Sequence, residues 1–464
     1  MSTKPILLLD GGMGTTLESL GADVSNPLWG CQLVHSDPET ISSVHRGFLD
    51  AGADIIETAT YQMTLDLLVA QGHSVDQAKT IMRSAVHLAD AQTKVTNRPK
   101  VVALSIGPLG ATLQPGQEYA GNYPSPYGPF SPSTSISTST STSTSTPTSV
   151  SPPVPTPVST FTATSTLTST STSSTSEFVT STNQCPNPVE EDSAEEALTE
   201  FHLDRLRVFA LHEPTWRTIE WIAFETIPLI REIKAIRRAM TRLKSELEIT
   251  YGTKDGDGEI AYGTDNAGGE IIDGMENGQG EITFDSGDKH RDRKKEARRW
   301  YDKKFWITSA YPLGQHGTKS PNGQSVSTST IVHSLLDPMI DGDTPNGVGI
   351  NCTNPTYLSR LVHEFTQATT QSLQGTTAKM ETEMDMDMDR PYFVLYPDGG
   401  NVYDVVTRQW SEGKLAPNDW AAGIASVVES LKNEDAWGGI IVGGCCKAGF
   451  NEIKALRTAL DEIS

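Results

Sequence analysis

Gly439-Ile440-Ile441-Val442-Gly443-Gly444-Cys445-Cys446-Lys447-Ala448-Gly449 is an apolar run that breaks into paired glycines and two adjacent cysteines. β-Branched residues bounded by glycine predict a short strand covered on both faces, and the glycines let the backbone turn where no side chain would fit. The strand thus delivers two thiols into a tight turn. Upstream, Gly347-Val348-Gly349-Ile350-Asn351-Cys352 repeats the arrangement, with a third thiol just past a short apolar run. Buried strands of this kind are the mark of a parallel sheet covered by helices.

Working outward, strand patterns alternate with helical ones. Strands are predicted at 6–10, 53–60, 101–106, 221–225, 305–311, 347–351, 392–396 and 439–443, and helices near 38–51, 75–93, 194–219, 229–246, 326–337, 356–373, 418–432 and from 451. Eight strand-helix units predict a single α/β domain of (β/α)8 TIM-type barrel form over 1–464, in which chemistry sits at the C-terminal ends of the strands. No GxGxxG fingerprint follows the first strand, which argues against a dinucleotide-binding fold. Three long polar insertions interrupt the pattern. Residues 131–183 are almost wholly Ser, Thr and Pro, a composition that cannot bury enough apolar surface to offset its ordering entropy, and are expected to be disordered. Residues 252–300 begin Gly- and acid-rich and end in the basic run Lys289-His290-Arg291-Asp292-Arg293-Lys294-Lys295, and residues 375–390 alternate Met with Asp.

Thiolates are soft, charged ligands that suit Zn2+, and three protein ligands leave a fourth tetrahedral position for substrate. Cys352, Cys445 and Cys446 are therefore candidate metal ligands. Adjacent cysteines also occur as buried small hydrophobes or as a redox pair, and the spacing is not that of a CxxC site, so spacing alone leaves those readings open.

Further short motifs follow one another in order: Asp10-Gly11-Gly12-Met13-Gly14-Thr15, Glu57-Thr58-Ala59-Thr60-Tyr61-Gln62, Ser105-Ile106-Gly107-Pro108, Glu118-Tyr119-Ala120-Gly121-Asn122-Tyr123, Glu225-Thr226-Ile227-Pro228 and Tyr396-Pro397-Asp398-Gly399-Gly400. With the two cysteine motifs, the series resembles the homocysteine S-methyltransferase family over most of the chain outside the insertions. The resemblance implies an enzyme that moves a methyl group from a sulfonium donor to the thiolate of zinc-bound homocysteine, giving methionine. S-methylmethionine is the first expectation for the donor and S-adenosylmethionine the second. It also implies that Asp10 binds the substrate amino group, with Gly11 and Gly12 beside the substrate carboxylate, and that Glu225 is the second amine-binding acid. Glu57, Tyr61 and Gln62 are expected to line the pocket, and Asn351 to touch substrate or orient the thiol loop. The same clamps would serve selenocysteine or another small thiol, and a non-catalytic zinc-binding barrel is the reading from a different class. One departure is Phe450, where the family commonly has a proline at the start of the following helix; altered packing there is expected, with zinc binding kept.

Composition is consistent with this. A formal net charge of −22 disfavours nucleic-acid partners. Five cysteines in 464 residues fit a reducing compartment in which thiols stay available for metal. The apolar run Ile6-Leu7-Leu8-Leu9 is too short for a signal-peptide core, and no run approaches the ~20 apolar residues that cross a bilayer, so a cytoplasmic setting is expected. Cys31 and Cys185 lie outside the motif strands and are expected to tolerate serine.

Overall fold

The computed structural model describes residues 4–24, 28–96, 100–113, 116–128, 188–252, 299–320, 323–379, 390–401, 403–404, 409–410 and 415–463. Eight strands form one parallel sheet: β1 (Ile6–Leu8), β2 (Ile55–Glu57), β3 (Val101–Ile106), β4 (Ile219–Phe224), β5 (Lys304–Ser309), β6 (Gly347–Asn351), β7 (Tyr392–Tyr396) and β8 (Gly439–Val442). Their order around the sheet is β1-β8-β7-β6-β5-β4-β3-β2, and a parallel bridge between Leu9 and Ile55 joins the two ends. The Asp54 amide donates to the Leu8 carbonyl at 2.6 Å and the Asp10 amide to the Ile55 carbonyl at 3.1 Å. A sheet joined end to end is a barrel, as expected from the eight-fold alternation.

A principal helix follows each strand: α1 (Pro38–Asp50), α2 (Val75–Thr93), α3 (Pro188–Ala210), α4 (Ile230–Tyr251), α5 (Thr328–Leu336), α6 (Leu358–Lys379), α7 (Pro417–Lys432) and α8 (Phe450–Ile463). Their starts obey local chemistry. The Asp37 side chain accepts from the Thr40 amide ahead of α1, Ser74 and Gln77 form a reciprocal capping box at α2, and Ser327 caps α5. Between sheet and helices lies a continuous apolar layer that includes Ile41, Phe48, Ile81, Leu206, Ile236, Phe365 and Val428. Inside the barrel, Leu9, Trp221, Trp306, Val394 and Ile441 fill the space, with the two indole rings 5.4 Å apart. The interior is thus packed, and open space is left at the strand ends.

Gly349 shows why β6 is glycine-rich. A Cβ there would stand 1.8 Å from the Val394 carbonyl oxygen, so only glycine permits this approach of β6 to β7.

The structure corrects three boundaries. The helix expected over 194–219 starts at Pro188, stops at Ala210 and gives way to a separate short helix, Glu213–Thr218. Pro214 is the reason: it lacks an amide hydrogen and its ring clashes with the preceding turn, so it opens a new helix instead of continuing the old one. The helices α4 and α6 run past their expected ends to Tyr251 and Lys379, the latter taking in residues 375–379, which composition had assigned to an insertion. The expectations for 131–183, for 253–298 and for 380–389 fall outside the described residues. Phe450 opens α8 with its ring against Phe48, centroids 4.8 Å apart, and over Gly47, where a Cβ would meet it at 2.6 Å. Among the described residues no helix is long and apolar enough to cross a membrane.

Residues 253–298 connect α4 to β5 in sequence, and connections from a helix to the next strand of a barrel bear on stability rather than chemistry. Replacing them with a short Gly/Ser linker is expected to move the thermal midpoint by at most about 5 °C, since loop closure entropy changes only with the logarithm of length. Loss of cooperative unfolding in that variant would contradict the assignment.

Candidate active site

Both cysteine motifs end at one point because the end of β7 lies between them. The Cys352 amide donates to the Tyr396 carbonyl at 3.1 Å, the Cys445 amide to the Pro397 carbonyl at 2.7 Å, and the Gly399 amide to the Cys446 carbonyl at 2.8 Å. The Cys446 sulfur lies 4.0 Å from those of Cys352 and Cys445. Cys352 and Cys445 are joined as a disulfide, S–S 2.01 Å, so two of the three expected metal ligands are paired with each other. Sulfurs drawn this close serve either use, a metal or a bond, and reduction decides between them.

The donor set fits zinc once reduced. All three sulfurs lie within 4.8 Å of one another, against a separation of about 3.8 Å for thiolates at 2.3 Å from a tetrahedral ion. Burial pushes the Cys446 thiol up to about 12, with Asp398 and Glu118 adding to the effect. A bound divalent cation inverts that balance, since a coordinating thiol is deprotonated outright.

On the other side of the cavity stand three carboxyl groups from the ends of β1, β2 and β4. Asp10 Oδ2 accepts from the Glu57 amide at 3.0 Å, while Asp10 Oδ1 and Glu57 Oε1 are buried with no hydrogen-bond partner. Glu225 accepts from the Ser105 hydroxyl. Burial raises the carboxyls of Asp10 and Glu57 well above the usual range, and for both the Glu225 charge acts in the same direction. Burial pushes Glu225 up to about 7, although the Ser105 and Tyr396 hydroxyls pull the other way. Acids gathered in a dry site, two of them with an unpartnered oxygen, are matched by a cation that donates several hydrogen bonds.

Of the residues expected at the site, Asp10, Gly11, Gly12, Glu57, Tyr61, Gln62, Glu225 and the three cysteines all line this cavity. At Gly12 a Cβ would stand 2.5 Å from the Cys445 carbonyl oxygen, so glycine lets the acid loop pack on the thiol loop. Asn351 is placed behind the cavity. It is fully buried, accepts from the Thr226 amide at 2.9 Å and donates to the Thr226 hydroxyl at 2.7 Å, and so ties the Glu225 strand end to the Cys352 strand end. Of the two expected roles, orienting the thiol loop is the one this geometry supports.

Two features of the site escaped the sequence, the bent turns at three strand ends and the loop that covers the cavity. Thr226, Cys352 and Lys447 have φ of 60°, 42° and 63°, so the turns ending β4, β6 and β8 each hold a non-glycine residue in the left-handed region. Trp29 (φ 47°) and Cys31 come from the loop before α1 to cover the cavity. No spacing rule marks such positions. Ser105 and Tyr396 stood inside quoted motifs, and an apolar strand ending in a hydroxyl was the available signal.

A family model described as homocysteine S-methyltransferase matches residues 7–138 and 288–460. Homocysteine S-methyltransferase 1 of Arabidopsis thaliana is 22% identical over 464 residues, covering 98% of this chain and 93% of that protein. Selenocysteine Se-methyltransferase of Brassica oleracea var. italica is 37% identical over 130 residues, which is 25% of this chain and 38% of that protein's length. Among solved structures, the metallated form of the homocysteine methyltransferase MmuM from Escherichia coli superposes with a TM-score of 0.50 at 19% identity, covering 98% of this chain and 96% of that one; at this identity the likeness is one of fold.

Two outcomes follow from the geometry. The protein is expected to bind one equivalent of zinc under reductant and far less when oxidised, and replacing Cys446 with serine should weaken retention at least about tenfold, measured by competition with a chromogenic chelator. Unchanged retention in Cys446→Ser would remove that residue from the ligand set. The second outcome concerns pH. A glutamate carboxyl raised from its ordinary range to about 7 on folding holds its proton more tightly in the folded state. Its contribution to stability is therefore present at low pH and is lost as pH rises from the ordinary glutamate range towards 7. The ligand-free thermal midpoint should fall between pH 5 and 8, and less steeply in Glu225→Gln; an identical slope would contradict a buried, raised Glu225.

Proposed function

The chain belongs to the homocysteine S-methyltransferase family, and on that premise we propose that it moves a methyl group from a sulfonium donor, S-methylmethionine first, to homocysteine, giving methionine. The observation that carries the reading is the pairing, in one cavity, of three convergent sulfurs with a cluster of buried carboxyl groups. Cys352, Cys445 and Cys446 in their reduced state would hold zinc. When bound, that ion supplies the charge that makes a substrate thiol a thiolate at neutral pH.

The remaining work falls to the protein's own groups. Asp10 and Glu225, with Glu57 beside them, take the substrate ammonium, whose charge relieves the repulsion among the acids and favours their ionised forms. The Gly11 and Gly12 backbone, free of side chains, lets the substrate carboxylate approach the loop after β1. Held at its amino and carboxylate ends, homocysteine presents its sulfur towards the cysteines, which is the positioning that converts binding into rate. The new bond forms between that sulfur and the donor methyl carbon; the bond from methyl to sulfonium breaks, and its electron pair stays with the donor, which leaves as a neutral thioether. The acidic cavity favours a cationic donor over a neutral one. Thiols that must stay reduced place the activity in a reducing compartment, which we take to be the cytoplasm.

A second reading, with selenocysteine or another small thiol as acceptor, shares the same clamp. Methyl transfer from S-methylmethionine, and separately from S-adenosylmethionine, should be assayed with the reduced, zinc-loaded protein against homocysteine and a panel of thiols and selenols. Turnover fastest with homocysteine is expected. Preference for a selenol would reassign the acceptor, and no transfer to any acceptor from either sulfonium donor would leave a non-catalytic zinc barrel. Asp10→Asn and Glu225→Gln are each expected to weaken homocysteine binding by about 1.5–3 kcal/mol with zinc content unchanged. Normal binding in either variant would return that residue to a structural role.

A further inference from the structure

Part of the cavity wall is made by residues 58–63 after β2 and by residues 107–113 and 116–123 after β3, which bring in Tyr61, Gln62, Glu118 and Tyr119. The loops brace each other: the Gly107 amide donates to the Tyr61 carbonyl at 3.0 Å, and the Gln62 amide side chain donates to the Ala111 carbonyl at 3.3 Å. A Cβ on Gly107 would stand 2.7 Å from the Tyr61 ring, so this contact is already tight.

Two fully buried charged side chains hold these loops from behind. Arg205 on α3, only 3% exposed, donates to main-chain carbonyls of both loops: from Nη1 to Gly107 at 2.7 Å, from Nη2 to Tyr61 at 2.9 Å and Thr60 at 3.4 Å, and from Nε to Met63 at 3.1 Å. Glu232 on α4, with no exposure, accepts from the Leu109 amide at 2.8 Å, the Tyr123 hydroxyl at 2.6 Å and His202 Nε2 at 3.0 Å. Burying ions of either sign is expensive, and apolar side chains of similar volume would fill the space at lower cost. What such side chains could not do is fix the loop carbonyls and amide in place.

The clamp acids take their own hydrogen bonds from the strand ends, Asp10 from the Glu57 amide and Glu225 from the Ser105 hydroxyl. The braced loop meets the clamp at Ser105, whose amide donates to the Thr58 hydroxyl at 3.1 Å and whose carbonyl accepts from the Thr60 hydroxyl at 2.7 Å. The acids are therefore set first by the barrel strands, and the loops after β2 and β3 by α3 and α4.

We propose that Arg205 and Glu232 are positioning residues that set the wall formed by the loops after β2 and β3, and through it the turnover step, without touching substrate. The proposal rests on the methyl-transfer reading for its kinetic consequence alone. In zinc-loaded protein, Arg205→Lys, Arg205→Met and Glu232→Gln should lower kcat at least about tenfold, since displacements near 1 Å at a reacting centre have effects of that order. Homocysteine affinity, measured by direct binding, should fall much less than kcat, because Asp10 and Glu225 take their own hydrogen bonds from Glu57 and Ser105. Lysine should recover part of the activity lost in the methionine variant, because it restores the charge and some of the donors. Amide exchange supplies a readout independent of turnover: Glu232→Gln should speed exchange at Leu109, and Arg205→Lys at Gly107, while strand amides of β3 stay protected. A lowered thermal midpoint with kcat unchanged, or homocysteine affinity falling in step with kcat, would overturn the proposal. If the wild-type protein itself shows no transfer, the functional reading fails, and unchanged exchange at Gly107 and Leu109 would still sink the positioning claim separately.

Discussion

Everything at the site depends on how the end of β7 is bonded to its neighbours. Its last carbonyls and the amide of Gly399 take up the backbone of Cys352 on one side and of Cys445 and Cys446 on the other. Two strand ends that are not adjacent in the barrel are thereby brought into register, with sulfurs 4.0 Å apart. Three residues held with positive φ at the ends of β4, β6 and β8 show that the backbone is bent into a form that few sequences adopt freely. Such bends persist only where surrounding hydrogen bonds over-determine them, and Asn351 and Thr15 supply two of these, at Thr226 and at the Lys447 amide, 2.8 Å from the Thr15 hydroxyl.

The second constraint is charge. The thiol of Cys446 and the carboxyls of Asp10, Glu57 and Glu225 are buried around one cavity, and burial is the first cause of every upward shift among them. A site in that condition favours positive charge: a metal ion among the sulfurs, an ammonium among the acids, a cationic methyl donor at the mouth. The acidic charge of the whole chain acts in the same direction at longer range, and more weakly in salt. Arg205 and Glu232, buried outside this cavity, are bonded to loop backbone, which keeps them from competing for the ligand's charges.

The architecture was legible because each strand is a short, mostly apolar run, several of them closed by glycine or an acid, and the helices between carry apolar residues at helical spacing. Asp10, Glu225 and the three cysteines were legible for a related reason: they end strands, and strand ends in a barrel converge. What stayed hidden was whatever depends on pairing between distant segments. Arg205 reads in sequence as one basic residue on a helix, and only the fold shows that it faces loop carbonyls. Asn351 sits next to Cys352, yet its side-chain amide is bonded across to Thr226. Pro214 lies inside the span expected to be one helix, and its missing amide hydrogen separates α3 from the short helix that follows. The disulfide between Cys352 and Cys445 belongs to the same class, since proximity in space, which spacing does not encode, makes both metal binding and pairing available.

The central claim is that the three sulfurs and the carboxyl cluster form one site that a reduced metal centre and homocysteine share. X-ray absorption at the zinc edge of the reduced, metal-loaded protein tests it directly, with and without homocysteine. The account predicts three sulfur ligands and one lighter ligand in the free protein, changing to four sulfurs when homocysteine binds, and no such change in the Asp10→Asn, Glu225→Gln double variant at the same homocysteine concentration. A sulfur count below three in the free protein, or a spectrum unmoved by saturating homocysteine, would contradict it.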